Sequence, residues 1–65
     1  MRLIINGEEY DLDVKTLRDV IEHFQLNANL VVTEVDGEIV DRSKWESTTL
    51  KEMMKIELVQ FVGGG

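Results

Sequence analysis

The chain closes with the stretch Lys55-Ile56-Glu57-Leu58-Val59-Gln60-Phe61-Val62-Gly63-Gly64-Gly65. Branched and aromatic side chains are typical of β-strands, so we predict a strand over 55–62. Three consecutive glycines have no side chains to pack, and glycine loses more backbone freedom on folding than any other residue. We therefore predict a flexible tail over 63–65. A strand that runs directly into such a tail can present the carboxylate of Gly65 to a narrow active site on another protein.

A hairpin and a helix open the chain. We predict strands at about 2–6 and 8–13, because Asn6-Gly7 between two strand-like runs is typical of a tight hairpin turn. A helix follows, with Thr16 as its N-cap and an end near Gln25. Its apolar residues recur at spacings of three and four, which predicts one buried helix face. That face consists of Leu17, Val20, Ile21 and Phe24.

A second hairpin is predicted from strands at 30–35 and 38–40, which flank the turn signal Asp36-Gly37. Apolar residues occupy both alternations of the first of these strands, so its inward face is ambiguous. The charge of Glu34 favours the alternation that places Val31 and Val35 inside.

The segment from Arg42 to Trp45 is predicted to form a helical turn that folds the indole ring onto the body of the domain. We interpret Trp45 as a core or lid residue rather than a ligand platform. We expect Arg42 to pair with one of the many carboxylates.

Composition narrows the class of protein. The chain has 65 residues, of which 43% are hydrophobic, and it has no cysteine. One small domain must therefore rely on an apolar core, without disulfides or thiolate metal sites. The formal net charge of −6 disfavours nucleic acid and anionic membranes as partners, because both require basic surfaces. No apolar run has the length of a membrane span or a secretory signal, so we expect a cytoplasmic protein.

The sequence carries no sign of a catalyst. We find no nucleophile with an adjacent base, no phosphate-binding loop and no metal-ligand cluster. We therefore expect neither an enzyme nor a bound cofactor or metal.

The element order predicts the architecture. The order strand, strand, helix, strand, strand, strand is typical of an α+β domain, which we place over 1–62. We expect a mixed sheet of four or five strands with one main helix packed across it. If the last strand pairs beside the first, the tail over 63–65 leaves from the middle of the sheet.

These features together resemble the ubiquitin-like β-grasp fold and, more narrowly, the ThiS family of sulfur carriers in thiamine biosynthesis. The resemblance covers essentially the whole chain. It rests on Ile4-Ile5-Asn6-Gly7, Thr16-Leu17, Asp36-Gly37-Glu38-Ile39-Val40, Arg42 with Trp45, and Phe61-Val62-Gly63-Gly64-Gly65. Two connections depart from the family's pattern: Met53-Met54 stand where Gly-Asp is common, and Asp41 stands where proline is common.

The resemblance implies that the chain is a substrate of other enzymes. A ThiF-type adenylyltransferase would activate the Gly65 carboxylate with ATP, and sulfur from a donor such as a cysteine desulfurase would then replace AMP. The resulting thiocarboxylate would deliver sulfur to the thiazole synthase ThiG. Gly63 and Gly64 would give the tail access to the partners' active sites. Because the chain lacks cysteine, it has no side chain that can hold sulfur as a persulfide.

Two alternatives stay open at the level of the sequence. One is a sulfur carrier for molybdopterin or another thiolated metabolite, which would use the same terminal chemistry with a different acceptor. The other is a non-covalent ubiquitin-like interaction module in which the glycines are incidental.

A docking face is expected beside the tail. Alignment of the strand alternation with the β-grasp fold leaves Ile4, Val59 and Phe61 pointing away from the helix. Single exposed apolar residues are ordinary, but a cluster beside a reactive end is a candidate interface. We therefore interpret these three residues as anchors for partner enzymes.

Overall fold

The structure is a computed structural model that describes residues 1–62. These residues form five strands and one α-helix: β1 is Arg2–Ile5, β2 is Glu8–Asp11, α1 is Leu17–His23, β3 is Val31–Val35, β4 is Glu38–Val40 and β5 is Lys55–Gln60. A 3₁₀ turn over Arg42–Lys44 leads into Trp45.

The strands form one mixed sheet in the order β2-β1-β5-β3-β4. Strand β5, the last in sequence, lies at its centre. It pairs parallel with β1, where Ile5 lies opposite Ile56, and antiparallel with β3, where Thr33 lies opposite Leu58. The predicted position of the last strand beside the first is therefore confirmed.

Both hairpin turns have the backbone conformation that their sequences favour. Asn6 and Gly7 have φ values of 51° and 81°, and Asp36 and Gly37 have values of 48° and 87°. Positive φ at both central residues characterises the type I′ turn, whose twist matches that of the flanking strands.

Helix α1 begins with the predicted N-cap. The hydroxyl oxygen of Thr16 accepts from the N–H of Asp19, and the Asp19 carboxylate accepts from the N–H of Thr16 at 3.0 Å. This reciprocal capping box satisfies N–H groups that the first helical turn leaves without partners.

The other end of α1 is a Schellman motif. The N–H of Leu26 donates to the C=O of Ile21, and the N–H of Gln25 donates to the C=O of Glu22. Gln25 has a φ of 55°, the left-handed conformation that this motif requires. The regular helix therefore ends at His23, slightly before the predicted end near Gln25.

The core lies between α1 and the facing side of the sheet. The helix contributes the predicted face. Within this face Phe24 is half-buried, and its ring packs edge-to-face on that of Tyr10 with ring centres 5.3 Å apart. Val31 and Val35 pack against this core, as predicted, and Trp45 is buried in it. The buried apolar residues are Leu3, Ile5, Val14, Leu17, Val20, Ile21, Trp45, Leu50 and Ile56.

The strands are shorter than predicted at their ends. Strand β2 stops at Asp11 rather than at residue 13, and β5 stops at Gln60 rather than at residue 62. In both cases apolar residues continue the alternation beyond the last strand pair, so the sequence pattern overstates the pairing.

The prediction that Arg42 pairs with a carboxylate is wrong. Its guanidinium donates to the side-chain oxygen of Asn29, and within residues 1–62 it forms no salt bridge. The adjacent carboxylate of Asp41 is already engaged, because it accepts from the hydroxyl of Ser43 at 2.6 Å and from the Ser43 N–H at 3.1 Å. These two bonds cap the 3₁₀ turn and lower the pKa of Asp41.

Candidate functional site at the end of the central strand

The central strand leads the chain out of the sheet at one end. Gln60 lies opposite Val31, and the N–H of Phe61 still donates to the C=O of Leu30 at 2.6 Å. The next residue, Val62, is 95% exposed. Cross-strand hydrogen bonds therefore hold the backbone as far as Phe61, and the chain becomes almost fully exposed at the next residue.

The side chain of Asn6 holds β5 on the opposite edge. Strand β1 ends at Ile5, but Asn6 Oδ1 accepts from the N–H of Leu58 at 2.7 Å and Asn6 Nδ2 donates to the C=O of Leu58 at 3.2 Å. A side-chain amide thus extends the ladder between β1 and β5. The residue that permits the first hairpin turn also positions the strand that leads to the tail.

Asp36 makes an equivalent contact at the beginning of β5. Its carboxylate accepts from the N–H of Lys55 at 3.1 Å, and its own N–H donates to the C=O of Lys55 at 2.8 Å. Sequence reasoning identified Asn6 and Asp36 only as turn formers. A turn dipeptide signals its backbone conformation, whereas the partner of its side chain depends on which strand lies beside it.

The sheet surface turned away from α1 is the outer face. Its residues alternate along each strand with residues that face the core. On the strands that concern the site they are Ile4, Val32, Glu34, Ile39, Lys55, Glu57 and Val59. Phe61 follows Val59 in the same alternation.

Two of the predicted docking residues lie together at the tail end of this face. Val59 and Phe61 are 53% and 54% exposed. Val59 is the direct cross-strand partner of Val32, which is also exposed. We call these three residues, Val32, Val59 and Phe61, the apolar strip. The sequence pattern did not identify Val32, because its contact with Val59 depends on the register between β3 and β5.

Ile4 lies on the same face but at the other end of β5. It is half-buried and is the register partner of Lys55. Lys55 precedes Val59 by four residues, or roughly 13 Å at about 3.3 Å per strand residue. The structure therefore brings Val59 and Phe61 together but not Ile4, and a role in docking stays a prediction for all three.

A cleft lies elsewhere, between α1 and the 3₁₀ turn, with a volume of about 580 Å³. Its basic side chains are already paired: Arg18 lies 2.7 Å from the carboxylate of Glu46 and 3.7 Å from that of Glu22, and Arg42 donates to Asn29. Arg18 is therefore balanced by carboxylates within the chain, whereas the partner of Arg42 is a neutral amide.

The part of the chain that the structure describes has neither a metal-binding cluster nor a membrane-spanning helix. Residues 1–62 contain no group of three or more His, Cys, Asp or Glu side chains placed to hold a metal ion. Across the same residues, no helix has the length and apolar character needed to cross a membrane.

Gly63, Gly64 and Gly65 lie outside the described residues. The flexible tail over 63–65 and the reactive carboxylate of Gly65 therefore stay predictions of the sequence.

Comparison with known proteins identifies one family and several similar proteins. The model of the ThiS family matches residues 3–65. The sulfur carrier protein ThiS of Bacillus subtilis (strain 168) is 32% identical over 65 residues, which cover 97% of this chain and 98% of that protein. An uncharacterised protein of Trieres chinensis, ycf40, is 37% identical over 62 residues, which cover 94% of this chain and 85% of that protein.

A third relative is much longer than this chain. A thiazole synthase of Paramagnetospirillum magneticum (strain ATCC 700264 / AMB-1) is 32% identical over 66 residues. The match covers 100% of this chain and 20% of the thiazole synthase.

Solved structures agree with the fold. The crystal structure of the thiamine biosynthesis protein ThiS from Geobacter metallireducens superposes with a TM-score of 0.81 at 28% identity, and the match covers 100% of both chains. An NMR solution structure of a thiamine biosynthesis protein from the same organism gives 0.82 at 28% identity, covering 100% of this chain and 88% of that one. With the topology described above, these neighbours confirm the predicted β-grasp fold.

Proposed function

The chain belongs to the ThiS family, and we propose that it is a sulfur carrier of thiamine biosynthesis whose reactive group is the Gly65 carboxylate. An adenylyltransferase of the ThiF type activates this carboxylate, a donor such as a cysteine desulfurase supplies sulfur, and thiazole synthase receives it. The chain acts in this scheme as a substrate that moves between enzymes.

One structural observation carries the proposal. Strand β5 is held on both edges, by β3 and by Asn6, and delivers the backbone to an almost fully exposed Val62 directly before the three glycines in sequence. A well-held strand limits the directions in which the following residues can extend. Glycines without Cβ atoms then allow the backbone to approach an enzyme surface closely.

The chemistry fits a carboxylate. A free carboxylate is a poor electrophile, because no good leaving group is attached to its carbon. The Gly65 carboxylate oxygen attacks the α-phosphorus of ATP and releases pyrophosphate, which gives an acyl-adenylate. The terminal sulfur of a persulfide on the donor attacks the Gly65 carbonyl carbon and displaces AMP, which gives an acyl disulfide between the chain and the donor. A thiol reductant then cleaves this disulfide and leaves the thiocarboxylate on Gly65.

The relative from Paramagnetospirillum magneticum supports thiazole synthase as the acceptor. A thiazole synthase that contains a segment similar to this entire chain suggests that the two functions operate together. This observation favours the thiazole pathway over a carrier for molybdopterin.

The direct test uses the 65-residue chain with a ThiF-type adenylyltransferase, ATP, a cysteine desulfurase with cysteine, and a thiol reductant that releases the thiocarboxylate. Mass spectrometry of the C-terminal peptide should show the exchange of one oxygen for sulfur. A variant that lacks Gly65 should show no exchange, whereas Val62→Ala, which keeps the tail length, should react normally. A native chain that stays unmodified would contradict the proposal.

The acceptor requires a separate test. Expression of the native chain should restore growth without added thiazole to a bacterial strain that lacks its own ThiS, and the variant without Gly65 should not. Failure to rescue, combined with normal thiocarboxylate formation, would indicate another sulfur acceptor.

The docking role of the outer face is tested by Phe61→Glu. We expect weaker binding to both the adenylyltransferase and thiazole synthase, because a carboxylate in the apolar strip would have to be desolvated at an apolar contact. Met53→Glu serves as a control, since Met53 is similarly exposed but lies in the turn before β5. Equal affinity of native chain and Phe61→Glu would remove this face from the proposal.

A further inference from the structure

Apolar packing secures only the first part of strand β5. Ile56 is completely buried in the core, Leu58 is half-buried, and Val59, Gln60 and Phe61 are exposed. Burial therefore decreases towards the tail, and hydrogen bonds must fix the position of the strand where it leaves the sheet.

A cleft of about 300 Å³ lies beneath this end of the strand, on the side of the sheet that faces α1. Asn6, Leu58 and Gln60 line it together with the rings of Tyr10 and Phe24. The sheet is thus open towards α1 where β5 ends, and the strand gains little burial there.

The two edges of β5 are held by different groups. On the β3 side, backbone bonds continue as far as the N–H of Phe61, which donates to the C=O of Leu30 at 2.6 Å. On the β1 side, the last bond between two backbone groups runs from the N–H of Asn6 to the C=O of Ile56 at 2.9 Å. Beyond that point, the hydrogen bonds that the described part of the chain makes to this edge come from the Asn6 side chain, which binds both backbone polar groups of Leu58.

Turn formation alone does not account for this side chain. Position 6 has a positive φ, which asparagine, aspartate and glycine all adopt in type I′ turns. Among these three, asparagine alone carries both a donor and an acceptor in its side chain at neutral pH. Leu58 uses both, since its N–H donates to Oδ1 at 2.7 Å and its C=O accepts from Nδ2 at 3.2 Å.

The free length of chain before the reacting atom depends on this hold. Residues 62–65 follow Phe61, whereas residues 59–65 follow Leu58. The effective concentration of a tethered group falls roughly as the −3/2 power of the free length, so a free segment that begins after Leu58 lowers it about twofold. Each added free residue would also have to be ordered in the enzyme's active site.

We propose that Asn6 is a positioning residue for the adenylation of Gly65. Its side-chain amide holds β5 near the point where the chain leaves the sheet, so that the carboxylate reaches the partner's active site on a short segment. The inference rests on the proposed function and adds to it a residue that acts through Leu58 and the strand, and not at the reacting atoms. The strand end is ordered when the domain folds, and this ordering need not be repeated in the complex.

The test measures formation of the acyl-adenylate in a single turnover, with a purified ThiF-type adenylyltransferase in excess over the chain and ATP at saturation. Two quantities are read: the limiting rate and the enzyme concentration at which half of that rate is reached. For Asn6→Gly we expect a limiting rate about two- to fivefold lower at an unchanged half-saturating concentration, because the bound tail occupies the active site for less of the time.

These two quantities separate positioning from stability. A variant that is only less stable reaches the native limiting rate, because the enzyme binds the folded chain and draws the remaining chain into that state. Such a variant changes only the half-saturating concentration.

Asp36→Gly is the matched control. Asp36 also has a positive φ in a type I′ turn, and its carboxylate accepts from the N–H of Lys55 at 3.1 Å, at the beginning of the same strand. Its replacement removes a side-chain hydrogen bond to β5 far from the tail and should leave the limiting rate at the native value.

Asn6→Asp is a second variant of the same position. It keeps the acceptor for the Leu58 N–H and loses the donor to the Leu58 C=O, so its limiting rate should lie between those of Asn6→Gly and the native chain. This variant carries the test in case Asn6→Gly does not fold.

A native limiting rate in both Asn6 variants would overturn the inference. An equal fall in the limiting rate of Asp36→Gly would also overturn it, since the effect would then not be specific to the tail end of β5. A change in the half-saturating concentration alone would assign Asn6 to stability or docking and would equally contradict a positioning role. Absence of acyl-adenylate on the native chain would contradict the proposed function itself, whereas equal reaction of the native chain and the variants would contradict only the role of Asn6.

Discussion

The indole nitrogen of Trp45 donates a hydrogen bond of 3.0 Å to the hydroxyl oxygen of Thr33. Thr33 is 1% exposed, and among the described residues it is the buried polar side chain of the core. Its hydroxyl donates in turn to the C=O of Val40 at 2.8 Å. This chain of bonds joins the residue after the 3₁₀ turn to strands β3 and β4, and every polar atom in it has a partner.

Thr33→Val should lower the free energy of unfolding by about 1–3 kcal/mol, because it leaves the buried indole N–H of Trp45 without an acceptor while preserving shape. Urea unfolding followed by circular dichroism measures the change. The control is the same substitution in a Trp45→Phe background, where no indole N–H needs a partner. An equal cost in both backgrounds would show that the bond between Trp45 and Thr33 contributes nothing.

Asn6→Gly should destabilise the domain by about 1–2 kcal/mol, because two hydrogen bonds to Leu58 are lost while glycine retains the positive φ. The amide hydrogen of Leu58 should also exchange faster with solvent. Asn6→Asp is the matched variant, since its carboxylate keeps an acceptor for that amide. Unchanged exchange at Leu58 in Asn6→Gly would mean that the Asn6 side chain does not hold β5.

Met53→Gly should stabilise the domain by about 1 kcal/mol, because Met53 has a φ of 64°, which costs little for glycine and more for other residues. Met53→Ala keeps the Cβ atom and should bring no such gain. Thermal unfolding of the three chains checks the prediction, and an equal gain with alanine would point to the lost side chain instead of the backbone.

The capping box makes part of the stability depend on pH. The N–H groups of Lys15 and Thr16 donate to the Asp19 carboxylate and lower its pKa below the ordinary 3.8. A depressed pKa in the folded state means that this stabilisation is complete above the ordinary carboxyl range and is lost as the pH falls through the lowered pKa.

Asp19→Asn should therefore be less stable than the native chain at neutral pH, and the difference should shrink as the solution is acidified below 3.8. Urea midpoints of both chains over a pH series measure this. A difference that stays constant across the series would show that the charge of Asp19 is not involved.

Local patterns predicted the elements of this fold well. Three signals depend on residues that lie close together in the chain, so the sequence shows them directly. They are the hairpin dipeptides, the cap at Thr16 and the apolar stripe of α1. The strand ends at Asp11 and Gln60 were less predictable, because pairing stops where the neighbouring strand departs and not where the apolar alternation stops.

The sequence by itself determined the order of elements, the turn conformations, the absence of a thiol and the run of three glycines on which the proposed chemistry rests. These are properties of neighbouring residues and of composition. The tertiary structure alone decided that Asn6 and Asp36 clamp β5, that Arg42 binds an amide and that Ile4 lies apart from Val59. It also decided that Glu34 faces Glu57, because the register between strands far apart in sequence sets which side chains meet.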